Sequence, residues 1–385
     1  MMQATIEGHT EGSDFDILLT YIRRGFSPTH CWVHPKAGVC WSGPQPRVVL
    51  TTQELLLSGS DVFGVLHDTY TEDWGETWTE LREQSGFRFR SESGGIRVGV
   101  CDFSPIWHRA SQTMLGLGHT VRYKGDRLMP DPRPREPVYS VYTPEEASWQ
   151  PWQTVEMPDP DRFFDSGFGC CQHVELPTGD LLIPMHFRRA GEVYRSVTVT
   201  RCAFNGARLH FIEHGSVHRL DSHRGFLEPA LAQCGQRYFL TLRAGDGRAH
   251  VSVSDDGMQL MEPRPWCWDD GEELATGDTQ QKWVTHGDTL YLVYTRVTPY
   301  NAHVMRHRAP LFIARVDIDG AYPRLIRKTE RVLVPEKGAR LGNFQVAPVT
   351  HEETWVTVSE WMQPVGCEEY GSDNRLYVAR LQWKG

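Results

Sequence analysis

Several features that would place this chain quickly are missing. No apolar run approaches the roughly 20 residues that span a bilayer as a helix. No basic stripe is present either. The 385 residues carry 40 Lys+Arg against 49 Asp+Glu, a net charge of −9 and a pI near 6.0. A nucleic-acid partner would call for clustered positive charge. The polar stretch 1–16 has no apolar h-region, so no signal peptide is expected. A cytoplasmic protein is the expectation, or a secreted one had a leader been trimmed. The nine cysteines are an odd number without paired spacing, which suggests buried free thiols in a reducing compartment. The histidines at 119, 173, 186, 223, 303 and 307 lack metal-ligand spacing, and neither metal nor cofactor is expected. No Gly-rich phosphate loop precedes a helix, and no G-x-S-x-G elbow occurs.

Helical periodicity is scarce as well. What recurs instead are short β-rich runs separated by Gly, Pro, Asp and Asn clusters. They pair as 47–50 with 62–71, 113–123 with 138–143, 172–187 with 196–202, 230–243 with 250–254, 282–295 with 311–317, and 344–360 with 376–381. Six such units at intervals of roughly 50–65 residues favour an all-β fold, a six-bladed β-propeller, over a two-sheet sandwich. The early strand 15–21 is expected to complete the last blade and tie the two chain ends together. A single domain over 1–385 follows, with 126–137 as a surface excursion. The 13 Trp and 13 Tyr suit an aromatic β-core and would also suit a carbohydrate site.

The most specific local pattern is Thr71-Glu72-Asp73-Trp74-Gly75-Glu76-Thr77-Trp78. It predicts a tight turn in which Gly75 takes positive φ, the Asp73 carboxylate accepts turn amides and Trp78 buries its ring. Ser254-Asp255-Asp256-Gly257 is a degenerate copy. The first pattern resembles the Asp box of the sialidase (neuraminidase) superfamily, whose boxes lie on outer turns of propeller blades. Other segments follow the same family order. Glu228-Pro229 opens a strand, and Arg243 ends its hairpin partner, so the two charges should be neighbours. Arg306 in Arg306-His307-Arg308 (or Arg308 in its stead), then Gly342-Asn343, then Glu360 at the end of a strand, resemble the family's triad Arg, nucleophile segment and supporting acid. Asn343 stands where the family has its nucleophilic Tyr. Asp61, ten residues before the box, matches the acid/base Asp. The first triad Arg has no counterpart at its place, where His30 is the candidate, with Arg23 and Arg24 nearby as substitutes. Gln172, in a weaker blade match, is expected to face the channel.

The resemblance implies an exo-acting glycoside hydrolase that releases a terminal acidic sugar, sialic acid first and a uronic acid second. Asp61 and Glu228 would be catalytic. Arg243, Arg306, His30, Asn343, Glu360 and Gln172 would bind substrate, the arginines by paired N–H···O bonds to the sugar carboxylate. Without the Tyr, water could attack directly with inversion, which needs carboxyl groups roughly 6.5–9.5 Å apart, or Tyr300 could take the role. Two alternatives stay open: a polysaccharide lyase or glycosidase acting on uronic-acid glycans, with His30 as base, and a non-catalytic glycan- or protein-binding propeller.

Overall fold

A computed structural model describes residues 1–43 and 45–384. Among the described residues there is no α-helix, only short 3₁₀ turns between strands. No helix is long and apolar enough to cross a membrane. The chain divides into two compact units. Unit 1 is Met1–Thr154 with Lys337–Gly385, and unit 2 is Val155–Glu336.

Unit 1 contains three large antiparallel sheets. One is the meander His30–Cys40, Arg47–Leu56, Phe63–Thr71, Arg82–Glu83. The second is built on Ile96–His108, Thr113–Lys124 and Pro137–Thr143. The third orders Arg340–Thr350, Glu353–Trp361 and Leu376–Trp383, and then continues into Phe15–Arg23 and Thr5–Thr10. Phe15 lies opposite Trp383 and Tyr21 opposite Tyr377, so the early strand does join the last sheet. Unit 2 holds meanders built on Leu181–Arg188 with Ser196–Phe204, on Phe226–Cys234 with Arg237–Ala244 and His250–Ser254, and on Lys282–His286 with Thr289–Tyr294 and Leu311–Asp317. The expected count of six like units is amended. Five of the large sheets come from one continuous stretch of chain each, and the remaining one is a composite of both ends. The long strand Ile96–His108 was absent from the expected pairs. Its alternation is broken by a register shift between Cys101 and Ser104, which hides the period of two.

The first strands of the sheets are buried on both faces, as in His30–Cys40 and Arg340–Thr350. Polar groups there must find partners, and they do so across sheets. In unit 1, Thr51 Oγ1 donates to Phe103 O at 3.1 Å, Gln53 Nε2 to Val100 O at 2.9 Å and Thr357 Oγ1 to Pro35 O at 2.7 Å. In unit 2, Trp283 Nε1 donates to Ala230 O at 2.9 Å. Fully buried Trp266 and Trp283, with ring centroids 5.6 Å apart, anchor that core.

The turn at 71–78 is made as its residue types dictate. Gly75 N donates to Thr71 Oγ1 at 2.9 Å, while the Asp73 carboxylate accepts Thr77 N at 2.9 Å and Thr77 Oγ1 at 2.6 Å. Trp78 is fully buried. The turn at 254–259 repeats the device, with Gly257 N on Ser254 Oγ at 2.9 Å and Met258 N on Asp256 Oδ1 at 2.8 Å. Gly75 has φ +93°, and a Cβ there would lie 3.1 Å from the Trp355 ring. Gly75→Ala is therefore expected to cost more than about 1 kcal/mol, read as a lower urea midpoint at unchanged slope.

Candidate functional site

Four strands carry the same irregularity. Register shifts fall between Val33 and Lys36, Cys101 and Ser104, Leu227 and Ala230, and Gly342 and Gln345. Each leaves two residues unpaired. The first is polar and left-handed: His34 (φ 57°), Asp102 (φ 53°), Glu228 (φ 42°) and Asn343 (φ 44°). The second is Pro35, Phe103, Pro229 or Phe344. A bulge of this kind re-aims a side chain that the pleat would otherwise fix. Left-handed backbone at a residue other than Gly costs roughly 1–2 kcal/mol, so four polar residues held this way mark the positions where function is to be sought.

Glu228 sits in unit 2. Its Oε1 accepts Arg243 Nη1 at 2.7 Å, so the expected neighbours do meet. Arg243 is 3% exposed and is gripped from the other side by Asp278, whose Oδ1 accepts Arg243 Nε at 2.6 Å. Asp278 gathers two further guanidiniums. Arg224 Nη1 donates to its Oδ2 at 3.4 Å, and Arg306 Nη1 stands 3.9 Å from the same oxygen. Burial alone would raise the Asp278 pKa, but the Arg243 hydrogen bond and the three positive charges overcome it and hold the carboxyl at about 2. For Arg243, burial likewise opposes charge, and Glu228 and Asp278 more than reverse that, raising its pKa. Arg224 shifts the other way, because burial and the neighbouring Arg243 both disfavour its charge. The side chains of Arg224 and Arg306 keep 34% and 40% exposure, against 3% for Arg243. Those two guanidiniums can reach a ligand, whereas Arg243 is committed to the protein's own carboxylates.

A second polar cluster lies in unit 1 around Asp102. Asn343 Nδ2 donates to its Oδ1 at 2.9 Å. The fully buried Lys36 stands 3.5 Å from Oδ1 and donates to the Asp102 carbonyl at 3.3 Å. His34 Nδ1 is 3.5 Å from Oδ1, and His119 Nε2 is 3.9 Å from Oδ2. Asn343 is thus brought into a charged cluster, but Asp102, His34, Lys36 and His119 were not among the expected site residues. The dipeptides His34-Pro35, Asp102-Phe103, Glu228-Pro229 and Asn343-Phe344 are the signal that could have found all four bulges. Each is a polar residue followed by Pro or Phe inside an otherwise apolar strand.

The remaining expected residues are placed as follows. Asp61 is exposed on the turn after Arg47–Leu56 in unit 1, and its carbonyl accepts the Tyr123 hydroxyl at 3.1 Å. His30 only begins its strand and bonds the adjacent Thr29 hydroxyl at 2.9 Å; His34, four residues on, holds the buried position. Glu360 is 2% exposed and holds a loop. It accepts Asp373 N at 2.8 Å, Arg375 N at 2.9 Å and Tyr377 Oη at 3.2 Å. Gln172 is spent on the backbone of Trp283, donating to its O at 2.8 Å and accepting its N at 2.9 Å. The positions of Glu360 and Gln172 make them ties between strands. Tyr300 is 85% exposed beside a cavity of about 360 Å³ that Arg296, Phe312 and Glu336 also line.

No family model matches the chain, and no curated protein matches it. Solved structures do. A protein of unknown function from Dyadobacter fermentans DSM 18053 superposes with a TM-score of 0.66 at 14% identity, covering 95% of this chain and 99% of that one. The Hadza microbial sialidase Hz136 gives 0.62 at 12% identity, over 96% of this chain and 74% of that one. Trypanosoma rangeli sialidase in complex with sialic acid gives 0.62 at 13% identity, over 98% of this chain, which spans 58% of that protein's length. At these identities the likeness establishes the fold, an all-β, sialidase-like β-propeller.

Proposed function

We propose that the chain is a glycoside hydrolase of the sialidase type that takes a terminal acidic sugar from a glycan, with sialic acid as the leading substrate. The observation that carries this reading is the guanidinium group of unit 2. Three arginines surround two carboxyl groups, so the cluster keeps at least one positive charge after internal pairing. Gathering like charges is unfavourable unless counter-charges offset it. Asp278 and Glu228 supply that offset and leave Arg224 and Arg306 half-exposed. In this reading those two grip the sugar carboxylate by charge-assisted hydrogen bonds, and Arg243 positions Glu228. The sialidases among the structural neighbours support the substrate class. The family resemblance gives the proton-transfer roles to Asp61 and Glu228, and each is tested by its own variant.

The test is a panel of 4-methylumbelliferyl glycosides. Fluorophore release is expected from the α-N-acetylneuraminide and not from an uncharged galactoside. Arg306→Met should reduce kcat/KM by roughly 10–100-fold, the loss of one or two charge-assisted hydrogen bonds. Release from the galactoside at an equal rate would sink the carboxylate reading. New ultraviolet absorbance from a uronate polymer, with no fluorophore released, would replace hydrolase by lyase.

A further inference from the structure

The Asp102 cluster of unit 1 has a donor set that the acidic-sugar reading does not use. Cys101 is the cross-strand partner of His119. Directly opposed residues point to the same side of a sheet, with Cβ atoms roughly 4.5–5.5 Å apart. Asp102, the next residue, would point to the opposite face in a regular strand. The left-handed bulge turns it back. As a result the Cys101 sulfur, an Asp102 carboxylate oxygen and a His119 ring nitrogen lie within 4.8 Å of one another, all three residues buried.

The separation of His119 and Asp102 suits a shared ion. His119 Nε2 is 3.9 Å from Asp102 Oδ2, beyond a hydrogen bond. Donors bonded to one zinc ion at roughly 2.0–2.3 Å in a tetrahedron stand roughly 3.3–3.6 Å apart. A small inward shift would bring these three to that spacing. The two carboxylate oxygens are also differentiated. Oδ2 faces His119, while Oδ1 accepts Asn343 Nδ2 at 2.9 Å and has Lys36 Nζ at 3.5 Å. That is the division of a monodentate carboxylate ligand, with one oxygen on the ion and the other held by outer-shell donors. The Lys36 charge then sits on the far oxygen and balances part of the two anionic ligands.

We propose that Cys101, Asp102 and His119 form a binding site for a divalent ion of the zinc class, with Asn343 and Lys36 orienting the carboxylate. A thiolate, an imidazole and one carboxylate oxygen are the sulfur, nitrogen and oxygen donors that such an ion accepts. Binding requires the thiolate, so the Cys101 thiol releases its proton to solvent as the ion enters. Three protein ligands leave a fourth position for water or a substrate oxygen.

The test uses the full-length chain, reduced and stripped with a chelator, then titrated with cobalt(II) chloride and zinc chloride. One ion per chain is expected to bind, with a thiolate-to-cobalt charge-transfer band in the near ultraviolet that zinc abolishes. Cys101→Ala should remove the band, and His119→Gln should weaken binding at least about 100-fold. Asn343→Leu should weaken it by about 10–100-fold, the range for loss of an outer-shell partner. Lys36→Met removes the other group that holds the same oxygen, and should weaken binding over the same range, about 10–100-fold. Cys234→Ser, in unit 2, should leave the band intact. If Cys101→Ala fails to fold, His119→Gln decides the question. Absence of binding by the wild-type chain, a band that survives Cys101→Ala, or affinity unchanged in His119→Gln would overturn the proposal. These readouts involve no glycoside turnover, so they stand or fall apart from the hydrolase reading.

Discussion

Replacing Arg243 by methionine is expected to destabilise the chain by about 3–5 kcal/mol, the usual consequence of removing one partner from a buried charge pair. The guanidinium is 3% exposed and bonded on one side to Glu228 and on the other to Asp278. Methionine fills much of the volume but leaves two carboxyl groups without their nearest counter-charge. A second readout separates this from a simple packing loss. Asp278 is held at about 2, against an ordinary value of 3.8. A depressed carboxyl pKa contributes stability that is fully present above 3.8 and is lost as pH falls toward 2. At one pKa unit per 1.36 kcal/mol the contribution is about 2 kcal/mol. Arg243 supplies the largest favourable part of that shift, so in Arg243→Met the fall in stability between pH 4 and pH 2 should flatten. Urea titrations at a series of pH values measure both effects. A variant as stable as wild type with an unchanged acid limb would mean that the three-arginine cluster is not held together in this way.

Glu228→Gln and Asp61→Ala should each lower kcat by about 100-fold or more on the carboxylated glycoside, the usual scale of a general acid or base. The two changes reach that result from different structural positions. Glutamine at 228 retains the length of the side chain and an oxygen for Arg243 Nη1 to bond, so the protein should remain folded while the ionisable oxygen is lost. Asp61 is exposed on a turn, and truncation there should change stability by no more than about 0.5 kcal/mol. Melting curves alongside initial rates check both. A residue whose variant retains wild-type turnover is thereby removed from the reaction.

The sequence reveals some of this site and hides the rest for identifiable reasons. Glu228 and Arg243 were legible because a hairpin with a short turn joins the strands that carry them, and a 15-residue separation then implies proximity. The turn at 71–78 was legible because each of its residue types has one mechanical job. The strand from 15 onward was assignable to the last sheet because that sheet would otherwise lack a strand. Asp278 was hidden because it lies in an irregular segment before Lys282–His286, where no periodicity reports its direction. Asp102 was hidden because strand alternation assigns it to the wrong face, and only the register shift after Cys101 corrects that. Glu360 and Gln172 matched the family order, which implied a supporting acid and a channel amide. Nonetheless, their hydrogen bonds go to groups of their own units, backbone groups for Gln172 and two backbone amides with the Tyr377 hydroxyl for Glu360. Order along the chain did not report what they hold.

The four bulges carry a consequence for how such a scaffold can diversify. A left-handed position admits a short alphabet: glycine freely, Asn, Asp and His with modest strain, and β-branched residues only at high cost. Drift at 34, 102 and 343, which hold His, Asp and Asn, is therefore channelled among a few compact polar side chains, while 228 carries the longer Glu, all presented at fixed points by a backbone that stays put. Swapping one of these for another retools the chemistry without rebuilding the frame, so two descendants could share every strand and still act on different molecules.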